Sequence, residues 1–135
     1  MTQDQIERCN ALWRELMDAE RVRWMGGMVT RRGGIVADGD TRSIWVCSPV
    51  GPLRVSPADV LLSWDHPATI GCLVAMAREA TGDAEASCVV YAGQWHCDWH
   101  GNESIAETEP EALLLAIQAA TASQTPRPAC NSFAR

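Results

Sequence analysis

The chain has no lysine: all eleven of its basic residues are arginine. A GC-rich genome would favour Arg codons whatever the protein does. Arg also suits planar, bidentate contacts to carboxylate or phosphate. Composition alone leaves both readings open. No apolar run approaches the roughly 18 residues that a membrane-crossing helix needs, so no membrane insertion is expected. The first residues, MTQDQIERCN, carry neither the basic nor the apolar region of a secretory signal, and a cytoplasmic location is expected.

Two further absences concern chemistry. The six cysteines (Cys9, Cys47, Cys72, Cys88, Cys97, Cys130) show no CxxC or CxxxxC spacing, so no zinc framework is visible. Five of them fall in periodic apolar segments and read as buried, reduced thiols, with Cys130 alone in the tail. Neither GxGxxG nor GxxxxGKS/T occurs, so the standard nucleotide-binding folds are not supported. No motif asks for a cofactor.

The last absence is of positive charge. Residues 79–126 hold eight acids and no base, whereas residues 1–78 balance nine Arg against nine acids. Arg127 and Arg135 bring the total to −6. Such asymmetry sets a field over one region and biases which partners approach it.

What is present points to a folded globule. A chain of 135 residues with 47% hydrophobic content and six Trp has enough apolar surface for one core. Thr2-Gln3-Asp4-Gln5 has the form of a capping box, and Ile6, Cys9, Leu12, Trp13, Leu16 and Met17 follow at helical spacing, predicting a helix to about Arg21. Met28–Thr30 and Ile35–Ala37 flank Arg31-Arg32-Gly33-Gly34 as a hairpin. Asp38-Gly39-Asp40 turns the chain, Ser43–Ser48 reads as a strand, and Leu53–Val55 as a short one.

Asp65–Gly82 predicts a helix capped by Asp65 or His66, with Pro67 in its first turn and Gly82 just past its end. Its stripe of Ile70, Leu73, Val74 and Ala77 is expected to face the sheet. Cys88–Ala92 and Trp95–His100 form a further pair, and Gly101-Asn102 turns the chain. Thr108-Glu109-Pro110-Glu111 is a second capping box, opening a helix over Ala112–Ala120. The expected fold is α+β: an antiparallel β-sheet with N-terminal, central and C-terminal helices packed on it, in the order α-β-β-β-α-β-β-α. It forms one domain over residues 1–122, followed by a frayed tail over 123–135.

Three pieces, in this order, carry a resemblance. They are Trp24-Met25-Gly26-Gly27-Met28, then Asp65-His66-Pro67-Ala68-Thr69-Ile70-Gly71-Cys72-Leu73, and then Thr108-Glu109-Pro110-Glu111-Ala112-Leu113 after a Trp-containing strand. The order is similar to that of small accessory proteins encoded by bacteriophages and prophages. The resemblance implies a phage product acting in the cytoplasm of a host cell, of the kind that antagonises a host defence component such as a CRISPR effector. It transfers no catalytic residue.

Five constellations are candidates for function. His96, Asp98 and His100 fall at i, i+2 and i+4 of a strand, on the face opposite Trp95, Cys97 and Trp99. They offer zinc or iron ligand types and the basis of a metal-dependent hydrolase, but i and i+4 on a strand lie about 13 Å apart. A wet polar face with no metal is the expectation. His66 beside Asp65 could serve acid–base chemistry, although capping explains both. Arg31 and Arg32 at a hairpin tip could capture an anion, as in a sponge for a nucleotide signal. Trp13, Trp45 and Trp95 read as core, leaving Trp24, Trp64 and Trp99 as stacking surfaces.

The fifth constellation is the acidic segment, with Asp98, Glu103, Glu107, Glu109 and Glu111. Direct nucleic-acid binding is disfavoured by the net charge of −6. The expected partner is a host protein with a basic surface, met by a non-enzymatic binding protein. A homodimer stays open.

Overall fold

The structure, a computed structural model, describes residues 1–39 and 44–122. Asp40, Ser43 and the tail from residue 123, with Cys130, lie outside the described residues. In chain order the elements are α1 (Gln3–Asp18), β1 (Ile35–Gly39), β2 (Ile44–Ser48), β3 (Gly51–Val55), α2 (Pro67–Thr81), β4 (Ser87–Tyr91), β5 (Gln94–Trp99), β6 (Asn102–Ala106) and α3 (Glu109–Ala122). The class is α+β. The strands form two three-stranded antiparallel sheets, ordered β1-β2-β3 and β4-β5-β6, where one sheet was expected. There is also one strand more than expected, because Asn102 opens β6 instead of ending a turn.

Local chemistry sets the helix ends. The Thr2 box closes: Gln5 N donates to Thr2 Oγ1 (3.1 Å), and Thr2 N donates to Gln5 Oε1 (2.9 Å). α1 stops at Asp18, short of Arg21, because Glu20 adopts φ 57° and the chain closes on itself. Arg21 N donates to Leu16 O and Glu20 N to Met17 O, a Schellman closure without glycine. In α2, His66 is the cap, its Nδ1 accepting from Ala68 N (3.1 Å), and Gly82 ends the helix at φ 73°. The second capping box does not close. The Thr108 hydroxyl is buried with no hydrogen-bond partner among the described residues, and the first turn is held by Ala112 N on Thr108 O (3.1 Å).

The central element is α3. Ala112, Leu113, Leu114, Ala116 and Ile117 are almost fully buried. α1, α2 and the β4–β6 sheet all pack against this helix. α2 therefore has α3 as its main neighbour, and not a sheet as expected. Its buried residues are Thr69, Leu73, Met76 and Ala77, with Ile70 and Val74 half-buried. Thr69 Oγ1 accepts from Val29 N (3.0 Å) and donates to Val29 O (3.3 Å), tying α2 to the chain before β1.

Tryptophan placement corrects the sequence reading. Trp24, Trp64 and Trp99 are buried, whereas Trp45, expected in the core, is 44% exposed. Trp24 and Trp64 both pack edge-on against Trp13, with ring centroids at 5.2 and 5.8 Å, and Trp64 Nε1 donates to Asn10 Oδ1 (2.8 Å). Edge-to-face packing of large rings stabilises beyond area burial alone.

Met28–Thr30 does not form a full strand. Val29 bridges to Ile35, Thr30 bridges to Leu62, and Thr30 N donates to Gly34 O (2.7 Å) to close the Arg31-Arg32 turn.

Candidate functional site

The β4–β6 sheet has one face on α3, and among the described residues nothing covers the other. Cross-strand partners place the residues: Val89 opposite His96 opposite Ile105, and Ser87 opposite Asp98 opposite Glu103. Cys97, Trp99 and Ala106 point to α3 and are buried. The outer face therefore presents Val89, Tyr91, His96, Asp98, Glu103 and Ile105. Val89, Tyr91 and Ile105 are 52%, 69% and 44% exposed, a large apolar display for a sheet face.

Two tight hairpins build this face. Ala92 and Gly93 (φ 52° and 80°) join β4 to β5, and His100 and Gly101 (φ 45° and 80°) join β5 to β6. Positive φ at both central residues is what a two-residue turn of type I′ requires. Because each loop is only two residues long, the register is fixed, and Asp98 stands directly across from Glu103.

The five acids of the expected surface separate into groups. Glu107 and Glu111 both meet Arg8 of α1: Arg8 Nη2 lies 2.7 Å from Glu107 Oε1, and Arg8 Nε lies 3.3 Å from Glu111 Oε2. Gln5 also donates to Glu107 Oε1 (3.2 Å). The Gln5 amide, and then Arg8, hold the Glu107 carboxyl below its ordinary pKa. The acidic segment, devoid of bases in sequence, is thus answered in part from the other end of the chain. Glu109 is half-buried, and burial pushes its carboxyl up. Asp98 and Glu103 are the pair left on the open face, and Asp98 has no side-chain partner among the described residues.

The histidines do not converge. His96 Nδ1 lies 2.8 Å from Glu103 Oε2, and the Tyr91 ring meets the His96 ring edge-on at 5.7 Å. His100 falls in the turn beyond β5, outside the strand alternation expected of it. Its backbone N donates to Asp83 Oδ2 (3.2 Å). The Asp83 carboxyl is held below its ordinary value, chiefly by the backbone N–H of Glu85. Among the described residues no three His, Cys, Asp or Glu side chains gather closely enough to hold an ion.

Arg31 and Arg32 sit together on an exposed turn of the other sheet's end of the molecule, where they line a cleft. Of the cysteines, Cys9 and Cys97 are buried, Cys72 and Cys88 half-buried, and Cys47 exposed, against expectation, on the outer side of β2. Burial pushes the Cys9 thiol up to about 12. The Cys88 thiol is pushed up first by its hydrogen bond with Cys97, its cross-strand partner, and then by burial.

The sequence pattern missed the apolar half of this face. Ser87-Cys88-Val89-Val90-Tyr91 reads as a continuous apolar run suited to a covered strand, and Asn102–Ala106 is too polar to announce β6. The strict alternation of His96-Cys97-Asp98-Trp99 was the available signal for one wet and one buried face.

No known protein family, curated protein or solved structure matches this chain.

Proposed function

We propose that this chain is a non-enzymatic binding protein whose outer β4–β6 face docks on a basic surface of a host protein. The observation that carries the reading is the Asp98–Glu103 cross-strand pair, flanked by exposed Val89, Tyr91 and Ile105. Like charges directly opposite on a sheet destabilise the free protein, and a basic partner relieves that cost on binding. The apolar residues supply contact area, and the acids supply steering and register.

The resemblance to phage accessory products supports a bacterial host factor as partner and an antagonistic role, with a nucleic-acid-binding defence component as the favoured class. Such a protein presents a basic groove to phosphates, which carboxylates at fixed spacing imitate. Glu107 and Glu111 are excluded from this surface because Arg8 occupies them.

The test is capture from a bacterial lysate by wild type and by the double variant Asp98→Arg/Glu103→Arg. A basic nucleic-acid-binding protein retained by wild type and lost from the variant supports the reading. The same proteins on both would contradict it.

A further inference from the structure

A second site lies away from the docking face and does not depend on it. Residues from the Thr30–Gly34 turn, β2, β3 and the segment after the Pro57–Asp59 turn enclose an open cleft of about 700 Å³. That volume falls in the range of small-molecule pockets, about 300–1,000 Å³. Its walls are aliphatic: Val46, Leu53, Val55, Val60 and Leu61. At its mouth stand Arg31 and Arg32, both exposed, and neither has an ion-pair partner among the described residues. Among the described residues Asp59 is the one acid in the lining, which leaves it net positive.

The turn that carries the two arginines is held in place. Thr30 Oγ1 accepts from Gly34 N (2.9 Å), and Arg31 N donates to Leu61 O (2.8 Å). A Cβ on Gly34 would lie 2.5 Å from Val46 Cγ1, so only glycine lets the turn sit this close to β2. The backbone that carries the two arginines is thereby fixed at the edge of the apolar wall.

We infer that this cleft binds a small amphiphile: one anionic head held by Arg31 and Arg32, and an aliphatic body lying on Val46, Leu53, Val55 and Leu61. The lining selects against a nucleotide. Among the described residues it offers no aromatic face for a base to stack on. Its hydroxyls are tied to the backbone, Thr30 accepting from Gly34 N, and Ser48 donating to Gly51 O (2.8 Å) and accepting from Val50 N (3.3 Å). A base edge would lose its water bonds without replacement, whereas an alkyl chain gains by burial. The head is a carboxylate or a phosphate, both of which a paired guanidinium fork accepts.

Calorimetric titration of the full chain with decanoate, decyl phosphate, decanol, AMP and inorganic phosphate tests the assignment. Saturable binding of one equivalent of decanoate or decyl phosphate is expected, and the tighter of the two identifies the head. Decanol, AMP and inorganic phosphate should each bind at least about tenfold more weakly, the scale of one lost charge-assisted bond or of the lost apolar body. Arg31→Ala/Arg32→Ala and Leu53→Asp should each weaken binding by a similar factor. All three positions are exposed, so the ligand-free melting temperature should stay close to wild type. Failure of both anionic amphiphiles to bind would overturn the inference. Equal affinity for decanol, AMP or inorganic phosphate, or unchanged affinity in the variants, would do so too.

Discussion

Asp98 of β5 and Glu103 of β6 face each other across the strand pair on the uncovered side of the sheet, and Glu103 turns one oxygen to His96 at 2.8 Å. Two carboxylates in register raise the energy of the free protein, and no described cation sits between them. Replacing one by a base should convert repulsion to attraction. Asp98→Arg is therefore expected to raise stability by roughly 0.2–1 kcal/mol, the usual worth of an opposite-charge cross-strand pair. Denaturant titration at low salt reads this directly. A destabilised variant would mean that Asp98 has a structural role its exposure does not show.

The clasp between α1 and α3 should fail in acid. Glu107 is held below its ordinary pKa by Gln5 and then by Arg8. A carboxyl depressed in the folded state stabilises the fold above its unfolded pKa, and that contribution is lost as pH falls through the folded value. Denaturation midpoints measured from about pH 6 down to about pH 3 should drop. Glu107→Gln and Arg8→Ala should each lower the midpoint at neutral pH and flatten that acid limb. An acid limb unchanged in both variants would show that the pair contributes nothing.

Leu73 is fully buried in α2, the helix whose main neighbour is α3. Leu73→Ala should cost about 2–5 kcal/mol, the transfer and cavity terms of a large-to-small core change. Val90→Ala, at a position 58% exposed, should stay within roughly 0.5 kcal/mol. Similar costs at the two positions would contradict the burial of Leu73 between α2 and α3.

Among the described cysteines, Cys47 should react first with an alkylating reagent under native conditions, because it alone is exposed. Cys9 should react last, being fully buried with its thiol pushed up to about 12. Mass spectrometry of a timed alkylation gives the order. Early labelling of Cys9 would mean that α1 detaches readily from α3.

Legibility in the sequence followed how local the determining chemistry is. The limits of α2 were readable because His66, Pro67 and Gly82 act on their immediate neighbours. The end of α1 was not, since Glu20 takes a left-handed conformation that sequence reserves for glycine. β6 was hidden by the same effect at His100, which shifted the turn by one residue and released Asn102 into a strand. Trp24 and Trp64 looked peripheral because their burial depends on Trp13, brought from another element. The acidic segment looked uniform for a similar reason: Arg8, which divides it, pairs with Glu107 from 99 residues away.

The proposed function requires the outer β4–β6 face to be a docking surface for a basic protein. The most direct test is the association rate of the captured partner with wild type and with Asp98→Arg/Glu103→Arg, at low and at high salt. Charge reversal should slow association at low salt by at least about tenfold and flatten the salt dependence, while the fold stays close to wild type in stability because the reversed pair is again one of like charges. An association rate equal to wild type at low salt would contradict it and leave Asp98 and Glu103 as solvated acids on an ordinary sheet face.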